Sequence, residues 1–431
     1  MNHSEIYLAQ SEELNNLYKI EKRMGIAIRQ TGLSSTNLIE NENNIVKLNQ
    51  SIRKSWLEKA GILVSPVYKS TLWGTNVNDM QNFKYHYSYE TLLNDENDFA
   101  DLMGYSIEKM ESKTFLFSSG MSAISNMLYC FSSFIKENLN VQASVGYFET
   151  KYFFKVLESM GNTVDFNLKN KVNTNVFYFE AIKYDATLST TDFDTLIESI
   201  NYSQAKIKFL IFDSTMHNKT SILSELSKRI NNIRNIVFCD IRSGLKLDQE
   251  GLELSNLGIC TIFISKENIR LFKLIRNYIE QYKNLTGANL PFYSLVLSHF
   301  FKTKNYSLDY VQKVKDQIIW AAETLEKRKA SNIRKIIWKK ENIFENTLVA
   351  PFIFIELKQN QESHYLKVIR LFQKRMEQLK TPIDYRNSWG FRMPSVEYFN
   401  DIFTDKRYIK FYPGMFRGLT AVNAIATLNN L

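Results

Sequence analysis

The chain has few cysteines, prolines and glycines. Its 431 residues include 3 Cys, 6 Pro and 15 Gly. Cys130, Cys239 and Cys260 each stand among apolar residues, so we expect buried, reduced thiols of a cytoplasmic protein and no disulfide framework. Because Gly and Pro are scarce, each one inside a motif carries more weight than usual as the mark of a turn.

The sequence also lacks the marks of metal, membrane and nucleic-acid binding. Its basic and acidic residues number 54 and 45, a net charge of +9 without any block of like charge, which predicts attraction of anionic small molecules and no nucleic-acid partner. No charged start precedes an apolar run, and no uninterrupted apolar run reaches about 18 residues, so neither secretion nor a membrane partner is expected. The histidines are far apart and have no metal-ligand spacing, which predicts no metal site. They are His3, His86, His217, His299 and His364.

Residues 1–60 differ in character from the rest of the chain. They are polar and rich in Asn, with helical periodicity over Glu5–Met24 and Ile45–Lys59 and a break around Asn37–Asn44. This pattern predicts a helical N-terminal arm. With 44% hydrophobic residues in the whole chain, the remainder is long enough for one large core and a smaller second one.

Short β-branched or aromatic runs alternate with amphipathic helical patterns in residues 61–305. This alternation predicts an α/β fold with a mostly parallel central sheet flanked by helices, forming a large domain. The predicted strands are Ala143–Tyr147, Val176–Phe179, Lys208–Phe212, Ile236–Cys239 and Cys260–Ile264.

The pattern of helices and strands over residues 306–431 predicts a smaller α+β C-terminal domain. A long helical pattern over Leu308–Lys329 leads into it, and a second covers Glu362–Leu379. Strands are predicted at Leu348–Leu357, Tyr385–Phe391 and Tyr408–Tyr412.

The segment Thr114–Ile124 is a Ser/Gly turn that leads directly into a helical pattern. Backbone N–H groups at Ser119, Gly120 and Met121 would lie at a helix N-terminus, where free donors and the helix dipole both favour an anion such as phosphate. A simple helix cap is the alternative interpretation.

Further motifs follow in a fixed order, and together they resemble the cystathionine γ-synthase and β-lyase family of pyridoxal-phosphate enzymes, which have fold type I. The resemblance extends from about Gly61 to the C-terminus. It implies a large domain that binds pyridoxal 5'-phosphate. The segments that carry it are Gly61–Trp73, Tyr85–Tyr89, Thr114–Ile124, Tyr147, Phe212–Asn218, Phe238–Asp240, Ile264–Lys266 and Asn387–Phe391.

The resemblance implies a lysine and an acid for the cofactor. Lys266, after Ser265 at the end of an apolar run, takes the place of the lysine that holds the cofactor aldehyde as a Schiff base. Asp240 ends the preceding apolar run and takes the place of the acid beside the pyridine nitrogen. A chance Ser-Lys pair and a turn aspartate are the alternatives.

Three more residues correspond to cofactor contacts in that family. Tyr147 takes the place of the tyrosine that stacks on the pyridine ring, with core packing as the alternative. Asn218 corresponds to a donor to the ring hydroxyl, although a shift of one residue would put His217 there. Tyr87 corresponds to a phosphate contact from a neighbouring subunit, whereas Tyr89 replaces the usual arginine.

The substrate side of the site is assigned to the C-terminal domain. Ser388 and Trp389 belong to a Ser-Trp-Gly segment that borders the substrate carboxylate in the β-lyase branch. Lys410 stands where the family has its carboxylate-binding arginine, and a lysine holds a carboxylate without the planar fork of arginine. Arg392 is a candidate to supply that fork.

The resemblance predicts a diverged enzyme of amino-acid metabolism, which performs β- or γ-elimination or replacement on a sulfur-amino-acid-like substrate in specialised biosynthesis. Transamination, decarboxylation and a catalytically silent scaffold are the alternatives. Because Tyr87 would reach a neighbour's cofactor, a homodimer or homotetramer is predicted.

Overall fold

The structure is a computed structural model. It describes residues 2–28, 32–64, 77–80, 83–86, 91–92, 105–290, 307–385, 388–401 and 403–430, and the side chains of residues 60–92 are not among the described features. The helices are α1 (His3–Met24), α2 (Leu38–Val64), α3 (Gly120–Ile135), α4 (Phe148–Ser159), α5 (Phe193–Tyr202), α6 (Ile222–Arg229), α7 (Ile269–Leu285), α8 (Leu308–Lys327), α9 (Glu362–Gln378) and α10 (Leu419–Leu428).

The strands fall into one large central sheet and three smaller ones. They are β1 (Val77–Met80), β2 (Phe83–His86), β3 (Thr91–Leu92), β4 (Met110–Phe117), β5 (Asn140–Ser144), β6 (Thr163–Asp165), β7 (Val176–Glu180), β8 (Lys208–Asp213), β9 (Ile236–Ser243), β10 (Gly258–Ser265), β11 (Ile333–Ile337), β12 (Lys340–Ile343), β13 (Asn346–Val349), β14 (Ile353–Leu357), β15 (Ser395–Asp401) and β16 (Lys406–Tyr412).

The central sheet has seven strands in the order β4-β10-β9-β8-β7-β5-β6. The pairs from β9 across to β6 are parallel, whereas β10 is antiparallel to both of its neighbours. The prediction of an α/β fold with a mostly parallel sheet is therefore confirmed. Because β7, β8 and β9 run the same way, their carboxyl ends meet at one edge of the sheet, the edge at which open α/β sheets bind ligands.

Both faces of the central sheet are covered, as the nearly continuous apolar strands predict. Helices α3 and α7 pack on one face, over the side chains of Val237, Cys239 and Ile241. The opposite face belongs to a second core, which contains Phe238 and continues into the C-terminal part of the chain. The three cysteines are buried thiols that form no disulfide with one another.

The C-terminal part is built on a four-stranded sheet in the order β11-β14-β16-β15, accompanied by α8, α9 and α10, so the prediction of a smaller α+β unit is confirmed. The predicted strand Leu348–Leu357 is in fact two strands, β13 and β14, with Pro351 between them. The prediction of a strand over Tyr385–Phe391 is wrong for its described residues, which form bends and irregular structure.

The N-terminal helices are longer than predicted. The predicted break at Asn37–Asn44 is wrong, because α2 begins at Leu38 and the Asn37 side chain accepts a hydrogen bond from the Glu40 N–H at 3.1 Å, as a helix cap does. Leu17 and Ile52 are fully buried in the core shared with the C-terminal part. None of the helices in the described ranges is long and apolar enough to cross a membrane.

Candidate active site

A cavity of about 230 Å³ lies at the carboxyl edge of β7, β8 and β9. Glu180, Asp213 and Ser243, the last residues of those three strands, all line it. Its lining residues are Ser119, Gly120, Met121, Ile124, Tyr147, Glu149, Glu180, Tyr184, Asp213, Thr215, Met216, Ile241, Arg242, Ser243, Lys246 and Trp389.

One wall of the cavity is the N-terminus of α3. The Ser119 hydroxyl caps the helix by accepting a hydrogen bond from the Ser122 N–H at 3.0 Å. The first-turn N–H groups of Gly120 and Met121 have no acceptor within the helix. A Cβ at position 120 would lie 3.1 Å from the Ser243 Cβ, so the glycine lets the helix end approach the end of β9. This wall offers an anion the backbone N–H groups of the first helical turn, the hydroxyls of Ser119 and Ser243, and the positive end of the helix dipole.

Asp213 supplies a carboxylate at the next position along the edge. The Thr215 N–H donates to it at 3.0 Å and the Tyr178 hydroxyl at 2.9 Å. These hydrogen bonds hold the side chain in place, while burial raises the pKa of the carboxyl above its usual range. Asp213 is thus a fixed, partly desolvated acid that can pair with a cationic group of a ligand.

Lys246 lies in the same cavity, three residues after Ser243. Its ammonium stands over the Trp389 ring, with Nζ 4.2 Å from the ring centroid. Burial, and then the positive charge of Lys410, lower the pKa of Lys246 to about 8, although Asp213 acts in the opposite direction. Near neutral pH a lysine with such a pKa is neutral, and therefore nucleophilic, far more often than an ordinary lysine.

Two tyrosines form the aromatic side of the cavity. The Tyr147 ring meets the Tyr184 ring edge to face, with centroids 5.8 Å apart. Glu180 fixes the backbone beneath them by accepting hydrogen bonds from the N–H groups of Tyr147 at 3.0 Å and Tyr184 at 2.8 Å. Burial, and then the charge of Asp213, raise the pKa of Glu180 to about 8, so this carboxyl is largely protonated at neutral pH.

A buried ion pair supports Tyr184 from the C-terminal sheet. Lys410 donates to the Tyr184 hydroxyl at 2.8 Å and is paired with Glu397, its cross-strand neighbour. The predicted role of Lys410 in binding a substrate carboxylate directly is therefore not supported, because its ammonium is committed to these two partners and does not line the cavity.

Lys266 and Ser265 lie at the opposite edge of the sheet, so their prediction as cofactor residues is wrong. The start of β10, Gly258, pairs with Ser243 at the cavity edge, whereas Ser265 pairs with Met110 at the far end. Eight extended residues separate the two edges by roughly 25 Å. The Lys266 side chain is 61% exposed, with Nζ 3.8 Å from a Glu111 carboxylate oxygen.

Asp240 does not reach the cavity either. Strand β9 continues to Ser243, and Asp240 is a buried residue inside the sheet, opposite Thr261 of β10. Its carboxylate accepts hydrogen bonds from the hydroxyls of Tyr105, at 2.7 Å, and Ser214. Burial raises the pKa of Asp240 to about 6, against the opposing effect of Arg242. Asp240 thus has a structural role in this arrangement.

Asn218 and Arg392 are also held elsewhere. The Asn218 amide donates to the Ser307 hydroxyl at 3.0 Å and lines a different pocket. Arg392 forms a two-pronged ion pair with Glu13 of α1, at 2.6 and 2.9 Å, and donates to the Glu250 carbonyl at 2.8 Å. Their predicted contacts with the cofactor ring and with a substrate carboxylate are contradicted by these partners.

The other predicted site residues divide into three groups. Tyr87 lies outside the described residues. Ser388 does not line the cavity, and its carbonyl accepts a hydrogen bond from the Ser395 hydroxyl at 3.2 Å. The structure brings the remaining five together in the cavity, namely Ser119, Gly120, Met121, Tyr147 and Trp389.

A role for Lys266 at the ligand-binding edge requires β10 to run parallel to β9, and in that arrangement neither Lys246 nor Asp213 stands out in the sequence. Parallel neighbours need a crossover connection, usually a helix, and residues 244–257 between β9 and β10 contain only turns and bends. This segment lacks a helical pattern, which was a signal for an antiparallel β10. With β10 antiparallel, Asp213 at the end of β8 and Lys246 just after the end of β9 lie at the ligand-binding edge of the sheet.

Comparisons with known proteins give structural relatives only. The sequence matches no protein-family model and no curated protein. Apo CalE6, a methionine gamma lyase from Micromonospora echinospora, has a TM-score of 0.51 and 12% identity over 74% of this chain and 81% of that chain. A putative L-allo-threonine aldolase from Listeria monocytogenes has a TM-score of 0.49 and 11% identity over 97% and 99% of the two chains.

The likeness to CalE6 shows the fold, which is fold type I of the pyridoxal-phosphate-dependent enzymes. The fold predicted from the sequence is thus confirmed. An archaeal O-phosphoseryl-tRNA(Sec) selenium transferase also matches, with a TM-score of 0.48 and 11% identity over 98% of this chain and 95% of that chain. Because one fold hosts different reactions, the fold does not select the cystathionine branch.

Proposed function

We propose that this protein is a pyridoxal-phosphate-dependent enzyme of amino-acid metabolism, in which Lys246 and Asp213 carry the roles that the sequence suggested for Lys266 and Asp240. The observation that supports this proposal is the placement of Lys246, Asp213 and the N-terminus of α3 around one cavity at the edge of the parallel strands. A lysine, an acid, an aromatic ring and a phosphate cradle are the groups that such a cofactor requires.

The residues of the cavity fit the cofactor. The N–H groups of Gly120 and Met121, with the hydroxyls of Ser119 and Ser243, would hold the phosphate. Gly120 allows this cradle, because a side chain there would press on Ser243.

The other side of the cavity suits the cofactor ring. Asp213 would pair with the protonated ring nitrogen, and the Tyr147 ring would stack against the ring face. The Lys246 amine would hold the aldehyde. The bound cofactor would supply an electron sink for the bonds at the substrate carbon that carries the amine.

Lys246 would also serve as the acid and base of the reaction. In the cofactor-free protein the Lys246 amine lies inside the cavity with a pKa of about 8. A base with a pKa near the working pH removes and returns protons efficiently, a contribution of about 10²- to 10⁴-fold. Lys246 would take the proton from the substrate carbon next to the amine and deliver it to the product.

The finer proposal is β- or γ-elimination or replacement on a sulfur-amino-acid-like substrate, supported by the family resemblance of the sequence. Product analysis with candidate amino acids distinguishes it from the alternatives. If the products are ammonia and a keto acid, the reaction is elimination. If the reaction requires a second keto acid that accepts the amino group, it is transamination. If the product is an amine, it is decarboxylation.

The test of the function is reconstitution of the purified protein with pyridoxal phosphate, followed by its visible absorption spectrum. Unbound cofactor is removed, and a second sample is reduced with borohydride and denatured before the attached cofactor is measured. We expect a visible band for the wild type, and cofactor that stays attached after reduction in the wild type and in Lys266→Ala but not in Lys246→Ala. A wild-type protein that is colourless after removal of unbound cofactor would contradict the cofactor and favour a catalytically silent scaffold. Attachment to Lys246→Ala at the wild-type yield would contradict the assignment of the lysine.

A homodimer or homotetramer is part of the proposal. Along α4 and just beyond it, large apolar side chains are exposed at intervals of four residues, namely Phe148, Tyr152, Val156 and Met160. The cavity residue Tyr147 immediately precedes α4. An apolar stripe of this kind is typical of an interface. Sedimentation should show a dimer or larger assembly that Tyr152→Glu weakens, and a wild-type monomer with full activity would contradict this proposal.

A further inference from the structure

A second pocket, of about 640 Å³, lies between the turn after β8, helix α8 and the β12–β13 hairpin. Its wall includes His217 and Thr220 from the turn and Lys315 from α8. Among the described lining residues, none is shared with the cavity that contains Lys246.

Two buried polar side chains in this wall have no partner. His217 is 2% exposed and Thr220 is 6% exposed. Neither ring nitrogen of His217 nor the Thr220 hydroxyl makes a hydrogen bond within the part of the chain that the structure describes. Leaving such groups unpaired costs about 1–3 kcal/mol each, and buried polar groups in folded proteins almost always have a partner. The pocket therefore provides room and polar atoms for an occupant.

The charges around the pocket favour an anion at its floor. Lys315 is half-buried there and uses one of its three N–H groups, which donates to the Thr347 carbonyl at 3.0 Å. The half-buried Lys219 lies beside the two unpaired side chains. The other charged lining residues are exposed to solvent, which screens them. They are Asp309, Asp316, Lys340 and Glu345.

His217 is a neutral imidazole in this environment. Burial, and then the positive charge of Lys315, lower the pKa of His217 to about 3. A neutral imidazole has one N–H donor and one acceptor. Together with the Thr220 hydroxyl and the Lys315 ammonium, it can donate to an oxyanion.

We propose that this pocket is a second binding site, which takes the carboxylate or phosphate group of a small anionic metabolite through Lys315, His217 and Thr220. The turn that forms it begins directly after Asp213, the last residue of β8. Within the turn, the N–H groups of His217 and Asn218 donate to the Ser214 carbonyl at 2.9 and 2.7 Å. An occupant would therefore contact the same turn that positions the acid of the cavity.

The test observes His217 directly and requires no enzyme activity. Protein labelled with ¹⁵N at its histidines is titrated with sodium acetate and, separately, with sodium phosphate, at an ionic strength held constant with chloride. His217→Gln identifies the His217 signals, and the exposed His3 serves as an internal reference. We expect a saturable shift of the His217 ring nitrogens with at least one of the two anions, and none at His3.

Matched lysine variants on α8 complete the test. Lys315→Met should weaken the binding of the active anion at least about tenfold, because it removes a charge-assisted hydrogen bond. Lys313→Met should bind as the wild type does, since Lys313 lines other pockets on the same helix. A response to acetate alone identifies a carboxylate site and a response to phosphate alone a phosphate site.

Two outcomes would overturn the proposal. If the His217 ring nitrogens of the wild-type protein shift with neither anion, the pocket binds neither group and holds only solvent. Unchanged binding in Lys315→Met would show that the anion sits elsewhere. Because the first result is read on the wild-type protein, it does not depend on the folding of Lys315→Met.

Discussion

At the scale of single residues, the environment of a lysine decides its chemistry more than its neighbours in sequence do. Lys266 follows a serine at the end of a buried strand, but it is exposed to solvent beside Glu111. Lys246 lies in the turn that follows β9, and its side chain lies in the cavity over the Trp389 ring. The residue types of the site could be predicted from the sequence, whereas the choice between two candidate lysines depended on strand direction.

The depressed pKa of Lys246 gives a prediction that needs no cofactor. Its neutral fraction should rise with a midpoint near pH 8, well below the ordinary lysine value of about 10.4. In Lys410→Met the pKa of Lys246 should rise, because a nearby positive charge is removed and the negative charge of Glu397 is left behind. The pH dependence of acylation of Lys246, followed by mass spectrometry in the cofactor-free protein, measures both values.

The control for this experiment is Lys406→Met, an exposed lysine on the same strand β16. It should leave the midpoint for Lys246 unchanged. If the midpoint of Lys246 acylation in Lys410→Met is equal to or lower than that of the wild type, Lys410 does not lower the pKa of Lys246.

Asp213 and Asp240 form a second matched pair, one in the cavity and one inside the sheet. Asp213→Asn should reduce the affinity for pyridoxal phosphate at least about tenfold, through loss of a charge-assisted hydrogen bond. Asp240→Asn should leave that affinity within about threefold. It should instead lower the free energy of unfolding by about 1–3 kcal/mol, because the amide keeps only one acceptor oxygen and one of the two hydroxyls, of Tyr105 or Ser214, loses its acceptor. Cofactor titration and urea unfolding measure the two effects, and the reverse pattern would restore Asp240 as the cofactor acid.

At the scale of secondary-structure elements, the apolar runs identified the strands well. β7, β8 and β10 are observed within two residues of their predicted bounds. The direction of β10 could not be obtained from its own residues, because a buried strand is apolar on both faces whichever way it runs. The connection before it contained the information, and that connection also carries Lys246.

The contact between β10 and the start of α3 makes Gly258 a sensitive position. A Cβ there would lie 2.0 Å from the Ser119 carbonyl oxygen, so Gly258→Ala must displace the strand-to-helix junction that forms the phosphate cradle. We expect the preference for pyridoxal phosphate over pyridoxal, measured as the ratio of their dissociation constants, to fall at least about tenfold.

Gly32→Ala is the control, because nothing lies within 4 Å of a Cβ at that position. It should keep the wild-type ratio. If Gly258→Ala folds and retains the full preference for the phosphorylated form, the junction does not bind the phosphate.

At the scale of the whole molecule, the N-terminal helices share a hydrophobic core with the C-terminal part of the chain. The ion pair between Glu13 of α1 and Arg392 is almost completely buried, with exposures of 0% and 2%. Helical periodicity predicted these helices, but their burial arises from contacts with residues nearly 400 positions away, which no local pattern in the sequence reports.

Removal of Glu13 should therefore destabilise the whole protein. Glu13→Ala leaves the Arg392 guanidinium buried without its counter-ion, which typically costs about 3–5 kcal/mol, and urea unfolding should show a loss of that size. The neighbouring Glu12 is exposed, so Glu12→Ala should change the free energy of unfolding by no more than about 0.5 kcal/mol. Equal stabilities of the two variants would contradict the structural role of the pair.

The lysine that binds the cofactor aldehyde can be located directly by chemical labelling. The protein loaded with pyridoxal phosphate is reduced with borohydride, digested, and mapped by mass spectrometry for the lysine that carries the reduced cofactor. We expect the label on Lys246, in the turn that follows β9. A label on Lys266 would contradict this assignment.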